Sequence, residues 1–150
     1  MRKFEAVKQE CMKYGVSEVT LPVRSTINSA GYDMFSPIDI TISPNTIETV
    51  FTNVKATCNP DEFIMVCVRS SMGKKGVCLA NDIGIIDSDY YSNPNNDGNI
   101  GVMLKNTSSV PFEIKAGDKI AQAIFMKYLV VDNDIPTNNV RTSGFGSTGK

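Results

Sequence analysis

The sequence predicts a mostly β domain, a sandwich or jelly-roll-like barrel, from three observations: many short extended segments, Gly, Pro, Asn and Asp between them, and one brief stretch with helical spacing. Its 150 residues, 41% of them hydrophobic, suffice for one compact domain with a core. The helical stretch comes first: Phe4, Val7, Cys11 and Tyr14 recur at three- and four-residue intervals before Gly15, which predicts a short packing helix over about 4–14. Beyond it the pattern becomes extended. Ile38, Ile40 and Ile42 alternate with Asp39 and Thr41 ahead of a Ser43-Pro44-Asn45 turn. Phe63 through Val68 is apolar on both phases, as in a strand covered on both faces. Further strands are expected over 47–56, 83–86, 99–105, 110–114 and 118–131.

Two segments stand apart. Ser92 through Asn99 is polar and turn-forming, and is expected to be a surface excursion. The end of the chain is nearly all Gly, Ser, Thr and other polar types, which divides it into a folded domain over 1–138 and a flexible glycine-rich arm over 139–150.

A net charge of −1 with no Lys/Arg block argues against a nucleic-acid surface. The opening MRKFEAVKQE has no following apolar run, so neither a signal peptide nor a membrane span is expected, and the protein is placed in the cytoplasm. Cys11, Cys58, Cys67 and Cys78 form no CxxC pair and read as buried reduced thiols. The chain contains no histidine, which removes Ser-His and Cys-His nucleophiles and His-based zinc sites. Acid–base chemistry therefore falls to carboxylates, Lys, Tyr or Cys.

Four places could carry chemistry. Asp87 follows an apolar strand and adjoins Asp89, so it could orient a water and accept its proton, or the two could merely cap a turn. Arg69-Ser70-Ser71-Met72-Gly73-Lys74-Lys75 leaves a strand and offers hydroxyls, backbone N–H groups and cations, either to a phosphate chain or only to water. Gln122 shares the strand phase of Ile120 and Ile124, and a buried amide needs a partner, from backbone or from ligand. Phe145 is a lone aromatic among glycines, suited to stacking on a flat ring while Arg141 meets phosphates, unless the segment is simply disordered.

The order of these elements carries a resemblance. Ala30-Gly31-Tyr32-Asp33-Met34, Arg69-Ser70-Ser71, Asn81 through Tyr90, Gly117-Asp118-Lys119-Ile120-Ala121-Gln122, and Arg141 through Gly149 together resemble the five motifs of the trimeric dUTPase family, from about Leu21 to Lys150. The resemblance implies a distorted jelly-roll barrel, a homotrimer with active sites shared between subunits, and Mg²⁺-dependent hydrolysis of dUTP to dUMP and pyrophosphate. It implies further that Asp87 activates the attacking water. Asn81 and the hairpin through Ile83, Gly84 and Ile86 would read uracil, with Tyr90 under the sugar and Phe145 stacked on the base. Ser70, Ser71, Gly73, Gln122, Arg141, Gly146, Ser147 and Thr148 would hold phosphates, Asp33 and Arg69 would support the architecture, and the metal would be held mainly by the triphosphate.

The chain departs from the family pattern twice. Tyr90 is followed by Tyr91 and the Asn-rich stretch, so the next glycine is Gly98 rather than one two positions on, and Arg141 and Phe145 stand one residue closer than is usual. Two rivals remain. dCTP deaminases are similar but use a glutamate general acid/base at the place that Met103 occupies here. A non-catalytic dUTP-binding regulatory jelly roll would keep the pocket and lose turnover.

Overall fold

In the computed structural model, which describes residues 1–136 and Gly144, strands account for nearly all regular structure. The strands are β1 Lys3–Ala6, β2 Tyr32–Phe35, β3 Ile40–Ile42, β4 Ile47–Phe51, β5 Val54–Thr57, β6 Glu62–Cys67, β7 Val77–Leu79, β8 Gly84–Asp87, β9 Gly101–Asn106, β10 Phe112–Ile114 and β11 Lys119–Lys127. One four-residue helix, α1 Ser70–Gly73, and two single 3₁₀ turns complete it. A four-stranded sheet in the order β2-β11-β6-β8 and a three-stranded sheet in the order β4-β9-β7 are joined by the ribbons β1-β5 and β10-β3, and every named pair is antiparallel. The apolar faces bury Met34, Ile42, Val50, Ile64, Val66, Val77, Val102, Leu104 and Ile120 in a single core, giving the jelly-roll-like arrangement of sheets.

The expected helix over 4–14 does not form. Lys3–Ala6 is a strand paired with β5, and only Gln9–Cys11 makes a 3₁₀ turn. A stretch this short gains little from helix formation alone, whereas the open edge of β5 offers a full ladder of backbone partners. Phe4 is fixed there by stacking with Tyr32 and Phe125, with ring centroids 5.2 and 5.4 Å away. The Arg2 guanidinium anchors the same end on the buried Glu62 carboxylate.

The expected strand over 47–56 is two strands in different sheets. Asn53 breaks it with φ 58°, a conformation asparagine tolerates, and its buried amide accepts from the Lys13 N–H at 2.9 Å and donates to the Tyr14 carbonyl at 2.8 Å. β11 carries another irregularity, a register shift between Lys119 and Ala121. That bulge changes the phase. Ile120 is buried together with Ala121 and Ala123, while Gln122 and Ile124 lie on the half-buried outer face, so Gln122 does not share the phase of Ile120.

β6 is covered on one face only. Ile64 and Val66 are buried, whereas Phe63, Met65 and Cys67 stay half-exposed. All four thiols are free, but only Cys58 is buried. The stretch from Ser92 to Asn99 reaches the surface at Ser92, Pro94 and Asn95, as expected, but Asn93, Asp97, Gly98 and Asn99 are buried. The segment from 137 to 143, including Arg141, and residues Phe145, Gly146, Ser147 and Thr148 lie outside the described residues.

Candidate functional site

A cavity of about 400 Å³ opens where β8 leaves the four-stranded sheet and faces β9. Its wall combines Asn81, Gly84, Ile85, Ile86 and Asp87 with Tyr90, Gly101 and Met103, over a floor of Val66, Leu79, Ile100 and Val102. The hairpin forms here because the chain reverses at Asp82, φ 59°, and Gly84 settles opposite Val66 on β6. A Cβ on Gly84 would lie 3.1 Å from Val66 Cβ, so glycine permits the close approach. β8 is the edge strand of its sheet, paired with β6 alone, which leaves backbone groups on its other side to face the cavity.

Asp87 ends β8 opposite Phe63 and is exposed at the rim of the cavity. It occupies the position preceding the Ser88–Tyr90 turn but makes no side-chain capping bond to it, which removes the turn-capping reading of this carboxylate. Tyr90 turns inward and is buried; its hydroxyl donates to the Asn99 carbonyl at 3.0 Å and accepts from Asn96 Nδ2 at 2.8 Å. Gly144 approaches the same ring: a Cβ there would stand 2.5 Å from Tyr90 Cε2. Of the sequence-predicted residues, the structure thus gathers Asn81, Gly84, Ile86, Asp87 and Tyr90 in one cavity, with Ile83 half-exposed in the same hairpin.

The remaining predicted residues lie elsewhere on the chain. Ser70, Ser71 and Gly73 form the exposed helix α1 at the end of β6, and a second groove of about 360 Å³ joins Arg69, Ser71 and Lys75 to Lys119. Asp33 organises that side. It accepts Arg69 Nε at 2.9 Å, Lys119 Nζ at 2.7 Å and Ser25 Oγ at 2.6 Å. Burial pushes its pKa up, but the bonds from Lys119 and Ser25 and the charge of Arg69 outweigh it and hold the carboxyl below its ordinary value. Gln122 lies between β2 and β6, opposite Asp33 and Cys67, and donates a long 3.5 Å bond to the Val68 carbonyl. Its Oε1 occupies space that a side chain at residue 31 would need, since a Cβ on Gly31 would be 2.3 Å away.

Sequence reasoning missed Lys119, although it sits inside a quoted motif, because nothing local announces that it reaches Asp33. It also missed Gly144 as a cavity residue; its place between Ser143 and Phe145 was the available signal.

Fold and cavity together define a mostly β, jelly-roll-like protein whose sheet edge closes a ligand-sized pocket ending on an exposed carboxylate. The dUTPase family model matches residues 17–149. The deoxyuridine 5'-triphosphate nucleotidohydrolase of Lactococcus lactis is 38% identical over 151 residues, covering 99% of this chain and 98% of the relative. The crystal structure of a dUTPase from Streptococcus mutans superposes with a TM-score of 0.77 at 37% identity, over 87% of this chain and 98% of that one. The native structure of the EIAV dUTPase superposes at 0.66 with 25% identity, over 90% of this chain and 100% of that one. The chain belongs to the dUTPase family.

Proposed function

We propose that the protein hydrolyses dUTP to dUMP and pyrophosphate, limiting uracil incorporation into DNA and supplying dUMP for thymidylate synthesis. The observation that carries this reading is the place of Asp87, a carboxylate exposed at the rim of a cavity walled by an edge-strand hairpin and Tyr90. Water held by Asp87 attacks the α-phosphorus. As the new P–O bond forms, the bond to the bridging oxygen breaks, pyrophosphate leaves with the electron pair, and the water's proton passes to the Asp87 carboxylate. Asn81 and the backbone from Ile83 to Ile86 hydrogen-bond the uracil edge, and a base with the wrong donor pattern leaves these groups unpaired. Tyr90 packs under the sugar, where a 2′-hydroxyl collides.

Phosphates are held by Ser70, Ser71, Gly73 and Gln122, with Arg141, Gly146, Ser147 and Thr148 of the arm over 139–150 and Phe145 stacked on uracil. Arg69 is fixed by Asp33, so both act as support. Magnesium in this reading would be held mainly by the triphosphate. When bound it neutralises leaving-group charge and orders the phosphate chain.

Among the described residues the cavity and the α1 groove share no lining residue, which supports a homotrimer with shared sites. A second feature supports it too. The outer face of the four-stranded sheet presents Phe63, Met65, Ile85, Ile124 and Met126 in register, with Ile85 57% and Met126 39% exposed, an apolar surface suited to another copy of the chain. The two-sided apolar pattern of β6 then has its explanation across a subunit interface. Among the described residues no helix is long and apolar enough to cross a membrane, and we place the enzyme in the cytoplasm. Met103 lines the cavity at the place where deamination needs a proton-transferring glutamate, which disfavours a dCTP deaminase.

The test is Asp87→Asn assayed with dUTP and Mg²⁺ for pyrophosphate, with dCTP, dTTP and UTP as controls. Turnover is expected to fall by about 10²- to 10⁴-fold with dUTP binding nearly unchanged. Near-normal turnover in the variant, or tight binding without turnover in the unmodified protein, would sink the reading.

A further inference from the structure

The Asn-rich stretch after Tyr90 is built around the tyrosine hydroxyl. Asn96 Nδ2 donates to that hydroxyl at 2.8 Å, and the hydroxyl donates onward to the Asn99 carbonyl at 3.0 Å. Asn96 is itself held by Asn93, whose Nδ2 reaches Asn96 Oδ1 at 2.8 Å and the Tyr90 carbonyl at 2.9 Å. The Gly98 N–H donates to the same Asn96 oxygen at 3.1 Å. Gly98 has φ 82°, and a Cβ there would stand 2.8 Å from the Tyr90 carbonyl oxygen, so the return of the loop under Tyr90 needs glycine.

The loop is also tied to the body. Asp97, buried, accepts Lys55 Nζ at 2.9 Å and the Lys8 N–H at 2.8 Å. The Tyr91 hydroxyl donates to Glu5 on β1, and Lys55 Nζ stands 4.9 Å from the centre of the Tyr91 ring. Ordering this partly buried, cross-bonded segment, in which Asn93, Asp97, Gly98 and Asn99 are buried, costs conformational entropy that a plain surface turn need not spend. What its bonds fix is the side chain that walls the cavity.

We propose that Asn96 is a positioning residue that sets the Tyr90 ring, so that this loop helps determine discrimination against a ribose 2′-hydroxyl. The inference rests on the reading of Tyr90 as the sugar-side wall. Asn96 does not line the cavity itself and acts through the tyrosine. Losing one of the two bonds at the hydroxyl loosens the ring, and a loosened wall admits the larger sugar more readily while leaving Asp87 and its water in place.

The test compares Asn96→Ala, Tyr90→Phe and the double variant in the full-length enzyme. It reads kcat and KM for dUTP, Ki for UTP and the thermal midpoint, with Tyr90→Ala as the reference for a missing wall. Asn96→Ala and Tyr90→Phe are each expected to narrow the dUTP/UTP discrimination by about three- to tenfold through KM and Ki, and Asn96→Ala, which lies outside the cavity, is expected to keep kcat within about twofold. The double variant is expected to add nothing to the larger single effect, because Tyr90→Phe already removes the Asn96 bond to the hydroxyl together with the bond to the Asn99 carbonyl. Unchanged discrimination in Asn96→Ala while Tyr90→Ala abolishes it overturns the inference and leaves the Tyr90 reading standing. Independent, multiplying effects overturn it as well. Unchanged discrimination in Tyr90→Ala removes the sugar-wall reading and this inference with it. Should Asn96→Ala fail to fold, Tyr90→Phe interrogates the same bond from inside the ring, and a wild-type ratio there is equally decisive against the proposal.

Discussion

The hairpin cavity and the α1 groove are assembled in opposite ways. Around the cavity, backbone and side chains of a single chain already enclose a ligand-sized space, with Tyr90 held at its hydroxyl and β8 leaving one edge open. Around α1 the hydroxyls of Ser70 and Ser71 are exposed on a four-residue helix, and the nearby cations Arg69 and Lys119 are occupied by Asp33. Under the proposed function one region would recognise by shape and the other by a few donors on a stiffly braced platform. A base and sugar need enclosure, because selectivity among them rests on unpaired polar groups and steric collision. A phosphate chain needs only well-placed donors and charge. The platform can therefore be lent to a neighbouring subunit, whereas the cavity must be made whole.

Mixing variants breaks this comparison most sharply. Asp87→Asn disables the cavity side, and Ser71→Asp sets a carboxylate against the phosphates on the exposed platform. Each is expected to be nearly inactive alone. Unfolded and refolded together in equal amounts, they are expected to recover about a quarter of the unmodified specific activity, because about a quarter of shared sites draw both intact halves. No recovery, with mixed oligomers demonstrated by differential tagging, means that one chain supplies both halves.

The next largest effect concerns what holds the cavity wall. Asp97→Ala leaves the Lys55 ammonium, whose side chain is 11% exposed, buried without its carboxylate. The loss is expected to be about 3–5 kcal/mol in denaturant unfolding. Asp39→Ala, which breaks the exposed pair with Lys115, is expected to cost less than about 1 kcal/mol. Equal costs would mean that the Asn-rich loop is not anchored through Asp97.

A smaller effect isolates the platform. Gly31→Ala puts a methyl 2.3 Å from Gln122 Oε1 and 3.2 Å from Gln122 Cβ; the carboxamide, being the free end of its side chain, can swing away, and the Cβ contact asks for a shift of a few tenths of an ångström. The expected result is a KM for dUTP raised about three- to tenfold with the thermal midpoint nearly unchanged. A wild-type KM would remove Gln122 from phosphate binding.

Much of this was legible in the sequence, and the failures have physical causes. Turn residues and period-two patterning gave the strands because backbone geometry is local. The motif around Asp87 was visible for the same reason, but whether that carboxylate capped its turn was not, since capping is a matter of side-chain direction. Phe4, Val7 and Cys11 were misread as a helix because the rival partner, β5, lies about fifty residues away. Gln122 was placed on the wrong phase because a bulge leaves no mark in composition. The Asn-rich stretch reads only as a surface excursion because asparagine favours turns in general, and its own side-chain bonds reveal that half of it is packed.

Acid sharpens the comparison at its smallest scale. The Arg2 guanidinium, bonded to Glu62, holds that carboxyl at about 2, well below its ordinary 4.5, and the Asn59 N–H adds to the effect against the penalty of burial. A carboxyl whose pKa is depressed by folding stabilises the native state fully above its unfolded value and ceases to do so as pH falls through the folded one. Glu62 therefore contributes above about 4.5, and its contribution fades between there and about 2. Glu62 begins β6, next to Phe63, which pairs with Asp87, so this contribution braces the cavity side at the N-terminal ribbon. Asp33 on the platform is shifted in the same direction. Glu62→Gln is accordingly expected to lower the thermal midpoint at neutral pH and to flatten its decline between pH 4.5 and 2, without changing the decline that Asp33 causes. If Glu62→Gln leaves the acid profile as steep as before, the Arg2 anchor contributes nothing and the acid sensitivity lies with Asp33 and Asp97.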